Sequence, residues 1–370
     1  MATLRGEPVD RPAVSFYEIG GWQPDRDDPD PFNVYNSPDW WPLLDLAEDE
    51  TDLIRMMGPR RTPTDDNCRD EFFSSETVLE NGSRVTRQTL HVAGRRMTSS
   101  SRRDPGVSTT WELTYLLEDV DDVKAYLQLP DEIFTYECGV EAMQAEEEAL
   151  GDAGIVMVDM ADPICHVAPL FSMADYTVFA LTEPALFHQL LEKHARTLYP
   201  MVEQVARQFP GHLWRVVGSE YASEPFLPPR LYEEYVFRYT KPMVEIIQRY
   251  GGYARIHSHG RLKNILPHIT AMGADGLDPV EPPPQGDMQL EDVRREYGQN
   301  MVLFGNIEAS DLETLPPAQF EKKVARALRE GTAGEGRGFV LMPSSCPYGR
   351  RISGDVMANY KTMIRLARAG

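Results

Sequence analysis

What this 370-residue chain lacks narrows its roles before any motif in it is considered. It has no apolar run near the roughly 20 residues that a membrane-crossing helix needs. Its opening, MATLRGEPVDRP, is charged almost at once and has no apolar signal core, so the expected location is the cytoplasm. Positive charge is scarce: 37 Lys and Arg stand against 58 Asp and Glu, a formal net charge of −21. A phosphate backbone needs a basic surface, so nucleic acid is not an expected partner. An anionic membrane surface is disfavoured for the same reason. Only four cysteines occur, Cys68, Cys138, Cys165 and Cys346, scattered without a paired spacing, which argues against a disulfide framework. No G-x-G-x-x-G follows any apolar run, so a dinucleotide-binding sheet has no support.

What is present describes a globular protein with ample length for a core: 42% of residues are hydrophobic and 26% charged. From about residue 154 short apolar runs alternate with longer amphipathic stretches. Strands are expected at 154–160, 212–218, 253–259, within 273–281, at 300–308 and at 338–345. Helices are expected over 184–209, 229–252, 261–271, 288–297, 317–330 and 353–368. With AVSFYEIG (13–20) as an opening strand, the alternation predicts a parallel sheet with helices outside it, an α/β protein of the (β/α)8 TIM-barrel type. An open doubly wound sheet is the alternative. The stretch 21–150 reads as an N-terminal cap or insertion within a single domain spanning 1–370. It carries a β-hairpin near SRVTRQTLHVAGRRMTSSSRR, then helices over about 119–127 and 138–150.

In such a barrel the active site lies at the C-terminal ends of the strands. That rule selects Glu18, then Asp159, Asp162, Cys165 and His166, then Glu220, then His257 and His259. After these come Asp278 and Glu281, Asn306 and Glu308, and Cys346. Imidazole and thiolate are zinc ligands. His257 and His259, two positions apart, face one side of a regular strand, and Cys346 ends a later strand. The adjacent Cys165 and His166 cannot form a nucleophile–base dyad without special backbone geometry, so they read as pocket wall. Glu220 reads as a fourth metal ligand, a general base, or a helix N-terminal charge.

Together LRGEPVDRP, GGYARIHSHGRLKNILPHITAMGADGLDPVEPP, YGQNMVLFGNIEASDL and the strand before Cys346 resemble the uroporphyrinogen decarboxylase superfamily. The resemblance runs in order along most of the chain and is weakest over 20–115. It implies a (β/α)8 barrel and two branches of activity, porphyrinogen decarboxylases and zinc-dependent methyltransferases that work with a corrinoid. The decarboxylases carry an arginine-rich segment after the first strand that grips carboxylates; here FYEIGGWQPDRDD is acidic, the wrong charge for a polycarboxylate. The methyltransferase branch binds zinc through His-x-Cys and a later Cys. His257 and Cys346 match the first and last of these, and His259 stands where the middle cysteine usually is. One thiolate fewer leaves the ion a stronger Lewis acid and favours an oxygen substrate such as a methyl ether.

The resemblance therefore implies zinc held by His257, His259 and Cys346, and the strand-end position of Glu220 adds it as an expected fourth ligand. Glu220, Glu281 and Asn306 are expected to act in the reaction, and Glu18, Asp159, Cys165, His166 and Tyr221 to line the substrate pocket. The aromatics Phe16, Tyr17, Trp22, Trp40 and Trp41 are candidates for its apolar walls or for packing. No D-x-H-x-x-G corrinoid pattern occurs, so the corrinoid is expected on a partner protein. A small methyl donor or acceptor completes the expected partners, with a homodimer left open. A metal-free decarboxylase and a non-catalytic small-molecule or corrinoid-binding barrel are the rival readings.

Overall fold

The computed structural model describes every residue except Pro24, Ser108, Arg350 and Gly370. Eight parallel strands form one curled sheet. Across the sheet they lie in the order Ala13–Val14, Phe339–Pro343, Val302–Ile307, Gly276–Asp278, Tyr253–His257, Leu213–Val217, Gly154–Ala161 and Leu53–Met57. The two outermost strands approach each other: the Asp52 N–H donates to the Val14 carbonyl (2.8 Å), and the Val14 N–H donates to the Asp52 carboxylate (2.8 Å). The result is a TIM-barrel-like α/β fold.

Strand periodicity explains how the core divides. Successive side chains alternate between the two faces of a strand. One set, including Ile54, Met56, Met157, Leu213, Val302, Phe304, Val340 and Met342, packs together with Leu4 and Tyr17. The other set, including Val156, Val158, Trp214, Val216, Ala254, Ile256, Leu303 and Leu341, packs against the outer helices. Chief among these is Pro184–Gln208, which buries Phe187, Leu190, Leu191, Leu198, Val202 and Val205 as its spacing predicts.

Several elements differ from expectation, each for a physical reason. The opening strand shrinks to Ala13–Val14, because the chain turns over at Tyr17 in a left-handed conformation (φ 58°). Leu53–Met57, inside the 21–150 stretch, is a strand of the main sheet that the sequence reading missed; its five residues LIRMM carry an arginine that interrupts the apolar run. The expected hairpin is a four-stranded antiparallel sheet, Phe73–Glu80, Ser83–Val92, Arg95–Arg103 and Thr110–Thr114. The expected helix over 138–150 is confined to Glu141–Leu150, since Tyr136–Gly139 pairs as a strand with Arg60–Pro63. The expected helix over 261–271 begins only at Leu266, with Pro267 in its first turn, where a missing N–H costs nothing. Among the described residues no single helix is long and apolar enough to cross a membrane.

Candidate functional site

The register of three neighbouring strands assembles the site. Arg215 pairs with Arg255 and Val217 with His257; Arg255 in turn pairs with Gly276, and His257 with Asp278. Period-two alternation then puts Arg215, Arg255, His257 and Asp278 on one face. Gly276 is needed beside them: a Cβ there would lie 3.0 Å from the Phe304 ring and 3.3 Å from Arg255 Cγ.

These polar groups interlock. Arg215 Nη1 reaches Asp159 Oδ1 (3.0 Å), and Arg255 Nε lies 2.9 Å from Asp278 Oδ1, close but misaligned for a hydrogen bond. Asp278 Oδ2 is 2.8 Å from His257 Nδ1. A carboxylate only accepts, so Nδ1 carries the hydrogen and the Nε2 lone pair is left over. Burial favours the neutral form of the His257 ring and outweighs Asp278, bringing it down to about 4. For Asp278 burial pushes the other way, but Arg255 and His257 together overcome it and hold the carboxyl near 2. The two directions agree on a neutral imidazole bound to an anion. The Tyr17 ring stacks on His257 with centroids 6.2 Å apart.

His259 lies two residues beyond the strand end, and its ring meets that of His257 edge-on at 4.6 Å. Its Nδ1 is bound to Glu281 (2.9 Å), whose other oxygen accepts from the Gly260 N–H (2.6 Å). Burial lowers the His259 pKa, but Glu281 and nearby carboxylates more than reverse this, so the net shift is upward. Both imidazoles thus have Nδ1 fixed by an acid and Nε2 unassigned, the arrangement in which second-sphere carboxylates orient metal-binding histidines.

Glu220 sits on the short turn Ser219–Ala222. The turn is tight because Gly218 adopts φ 128°, where a Cβ would fall 2.3 Å from Asp162 Oδ1 and 2.4 Å from Cys165 Cβ. Glu220 Oε2 is buried without a hydrogen-bond partner. Burial raises this carboxyl, with backbone N–H groups and His259 opposing. Asp162, fully buried, caps the helix Pro163–Val167 through the Cys165 N–H (2.9 Å) and accepts from Thr240 (3.1 Å). Burial lifts Asp162 to about 7.

The other expected site residues are distributed unevenly. Asp159 is engaged by Arg215, and Cys165 stands by Asp162 and Glu220. His166 instead turns to His194, with the rings stacked 5.5 Å apart. The Tyr221 carbonyl accepts from the Tyr176 hydroxyl (2.7 Å), and Asn306 Nδ2 donates to the Val280 carbonyl (2.6 Å). Glu308 is raised by burial and then by Glu281. Cys346 Sγ accepts from the Tyr35 hydroxyl (3.8 Å) beside Glu18, and burial and then Glu18 push its thiol upward. Tyr35 is itself wedged between Trp22 and Trp40. Trp40 is fully buried, donating to the Gly349 carbonyl (2.9 Å), which makes it a packing residue.

The fit to zinc is uneven across the expected donors. The chemistry of His257, His259 and the orphaned Glu220 oxygen suits the ion, whereas Cys346 is held by Tyr35 and Glu18. Among the described residues no three His, Cys, Asp or Glu side chains stand together as a metal cage. The sequence reading missed Arg215, Arg255 and Tyr35. The two arginines were detectable, since LWRVV and YARIH each place one charge in an otherwise apolar strand, in phase with His257.

The fold and this ring of histidine and carboxylate groups define a TIM-barrel-like α/β protein with a polar site at its strand ends. Residues 112–348 match the model of the uroporphyrinogen decarboxylase (URO-D) family, and the chain belongs to that family. Among solved structures it is similar to a methyltransferase from Methanosarcina mazei, at 15% identity and a TM-score of 0.58, covering 100% of this chain and 96% of that one. A D-psicose 3-epimerase solved in the presence of D-fructose shares 11% identity over 61% of this chain and 90% of that one. Its TM-score of 0.32 is too low to argue from. No curated protein matches.

Proposed function

We propose that this chain is a zinc-dependent methyltransferase, moving a methyl group between a small methylated compound and the cobalt of a corrinoid carried by a partner protein. A methyl ether is the favoured substrate. The observation that carries this reading is the His257–His259 pair, with both Nδ1 atoms tied to carboxylates and both Nε2 atoms left for an ion. Membership of the URO-D family and the full-length likeness to a protein described as a methyltransferase support it.

His257 and His259 would hold the zinc, with Glu220 and Cys346 as the remaining ligands. Bound there, zinc would supply Lewis-acid activation of the heteroatom that bears the methyl group. The chain's own residues orient and enclose. Asp278, anchored by Arg255, fixes the His257 ring, and Glu281, anchored by the Gly260 N–H, fixes His259. Asn306 holds the Val280 carbonyl, steadying the loop that carries Glu281.

A decarboxylase acting on an acidic substrate is the second reading. It is favoured by Arg215 Nε and Arg255 Nη2, both buried without hydrogen-bond partners. One experiment separates the two: metal content, followed by a panel of methyl ethers, methylamines, methyl thiols and uroporphyrinogen, each supplied with cob(I)alamin. Zinc-dependent methyl transfer is expected. Turnover of uroporphyrinogen by zinc-stripped protein, with no methyl transfer, would overturn the proposal.

A further inference from the structure

Lined by none of the residues of the histidine–carboxylate cluster, a cavity of about 350 Å³ lies between the helices Pro163–Val167 and Pro184–Gln208, the strand Arg60–Pro63 and the antiparallel sheet. Its polar lining is all basic or neutral. Arg61 and Arg69 both line it, and among the described residues no Asp or Glu does, although the chain carries 58 acidic residues. Neither arginine is paired with a carboxylate among the described residues. Arg61 touches the Met160 sulfur (3.7 Å), and Arg69 stacks on the Phe73 ring, 4.2 Å from its centre. By contrast, Arg215 and Arg255 at the strand ends each have an acid beside them.

Much of the rest of the lining is aromatic, with aliphatic side chains such as Leu116, Leu198 and Met201 beside the rings. His166 and His194 stack almost parallel (9°), and Phe134 lies 5.0 Å from His194. Burial, then Arg61, keeps the His166 ring neutral, down to about 4, so at neutral pH it acts as a polar aromatic surface. The volume is at the low end for small-molecule pockets, enough for a single ring with a short substituent.

From these features we infer that the cavity is a second binding site, taking a small aromatic carboxylate. The guanidinium groups of Arg61 and Arg69 pair with the carboxylate, and its ring lies among His166, His194, Phe73 and Phe134. Two guanidinium groups facing an uncharged aromatic wall select an organic anion over inorganic phosphate, which would leave the wall unfilled, and over a neutral ring, which would leave the charge unmet. The site is separate from the histidine–carboxylate cluster and does not depend on zinc.

The test is calorimetric titration of the full chain with sodium benzoate, benzyl alcohol and inorganic phosphate. Saturable benzoate binding is expected, with benzyl alcohol and phosphate roughly tenfold weaker or more. Arg61→Gln and Arg69→Gln should each weaken benzoate roughly tenfold, and the double variant should abolish binding while its circular dichroism stays native. His257→Ala should leave benzoate affinity unchanged, which keeps this inference distinguishable from the zinc proposal. The inference is overturned by absence of saturable benzoate binding, by phosphate binding as tightly as benzoate, by undiminished binding in the folded double variant, or by loss of binding in His257→Ala.

Discussion

Two pairs of histidines sit in opposite electrostatic settings in this molecule. His257 and His259 each lean on a carboxylate, Asp278 or Glu281. His166 and His194 lean on each other, with Arg61, Lys193 and the Tyr126 hydroxyl as their polar neighbours. The same side chain is thereby prepared for opposite guests. An acid at Nδ1 leaves the outer nitrogen as a donor to a cation, whereas arginines beside a neutral ring attract an anion. The difference lies in neighbours brought in by strand register and helix packing, and the histidines themselves do not reveal it.

The comparison breaks most severely at Asp278. Asp278→Asn removes the charge that faces Arg255, and both residues are almost wholly buried, at 0% and 1% exposure. An unpaired buried guanidinium, with Arg215 nearby, should cost about 3–5 kcal/mol of stability. Urea unfolding measures it. A loss under about 1 kcal/mol would mean that water reaches Arg255 and the network is not closed.

Next in size is the metal. Zinc of about one ion per chain is expected in the purified protein, falling below roughly a tenth in His257→Ala with the fold retained. Cys346→Ala is the sharper variant, because Cys346 is held by Tyr35 and Glu18. Loss of zinc there would place the thiol in the first coordination sphere, and full occupancy would remove it. By contrast, His166→Asn should leave the zinc content as it is, since its ring faces His194.

How much of this was legible in the sequence depends on the range of the interactions. The strands from 154 onward were legible because apolar runs and strand alternation are local, and their ends pointed to Glu220, His257, His259 and Asp278. Leu53–Met57 was not, since a five-residue strand with a central arginine is recognised only by its pairing with Gly154–Val158. Cys165 and His166 were read together as one wall. Helical geometry sends adjacent residues to different faces, and the structure places one by Glu220 and the other by His194. The Arg61–Arg69 cavity joins segments more than a hundred residues apart, and no local pattern announces it.

A pH series sharpens the contrast without any ligand. Burial lowers the folded pKa of His166 to about 4, and that of His194 well below its ordinary value. An unfolded histidine takes up a proton near 6.5. Between 6.5 and 4 the unfolded chain therefore binds more protons, and stability falls as the pH falls. The contribution is complete above about 6.5 and lost on descent through about 4. Discounted for its partial exposure, His166 should account for roughly 2 kcal/mol of that loss. The readout is the difference between wild type and His166→Asn in urea midpoints from pH 7.5 to 4. A pH-independent difference would mean that the ring is solvated in the folded state.

The smallest expected effect tests whether the anion-facing pair is held as rigidly as the acid-bound pair. Tyr126 donates to or accepts from His194 Nε2 at 3.1 Å, and both residues are almost fully buried. Tyr126→Phe keeps the ring and its packing against Phe134, so what is lost is one neutral hydrogen bond. Its net worth is about 1 kcal/mol. The adjoining cavity lets a water replace the hydroxyl, which holds the cost at that figure and avoids the full penalty of an orphaned nitrogen. By contrast, no neighbour replaces the Asp278 carboxylate under His257, because Arg255 occupies the other side. Thermal unfolding of Tyr126→Phe should therefore show a drop of only about 1 °C. A cost nearer 3 kcal/mol would show that no water enters, and that His194 is locked as firmly as His257.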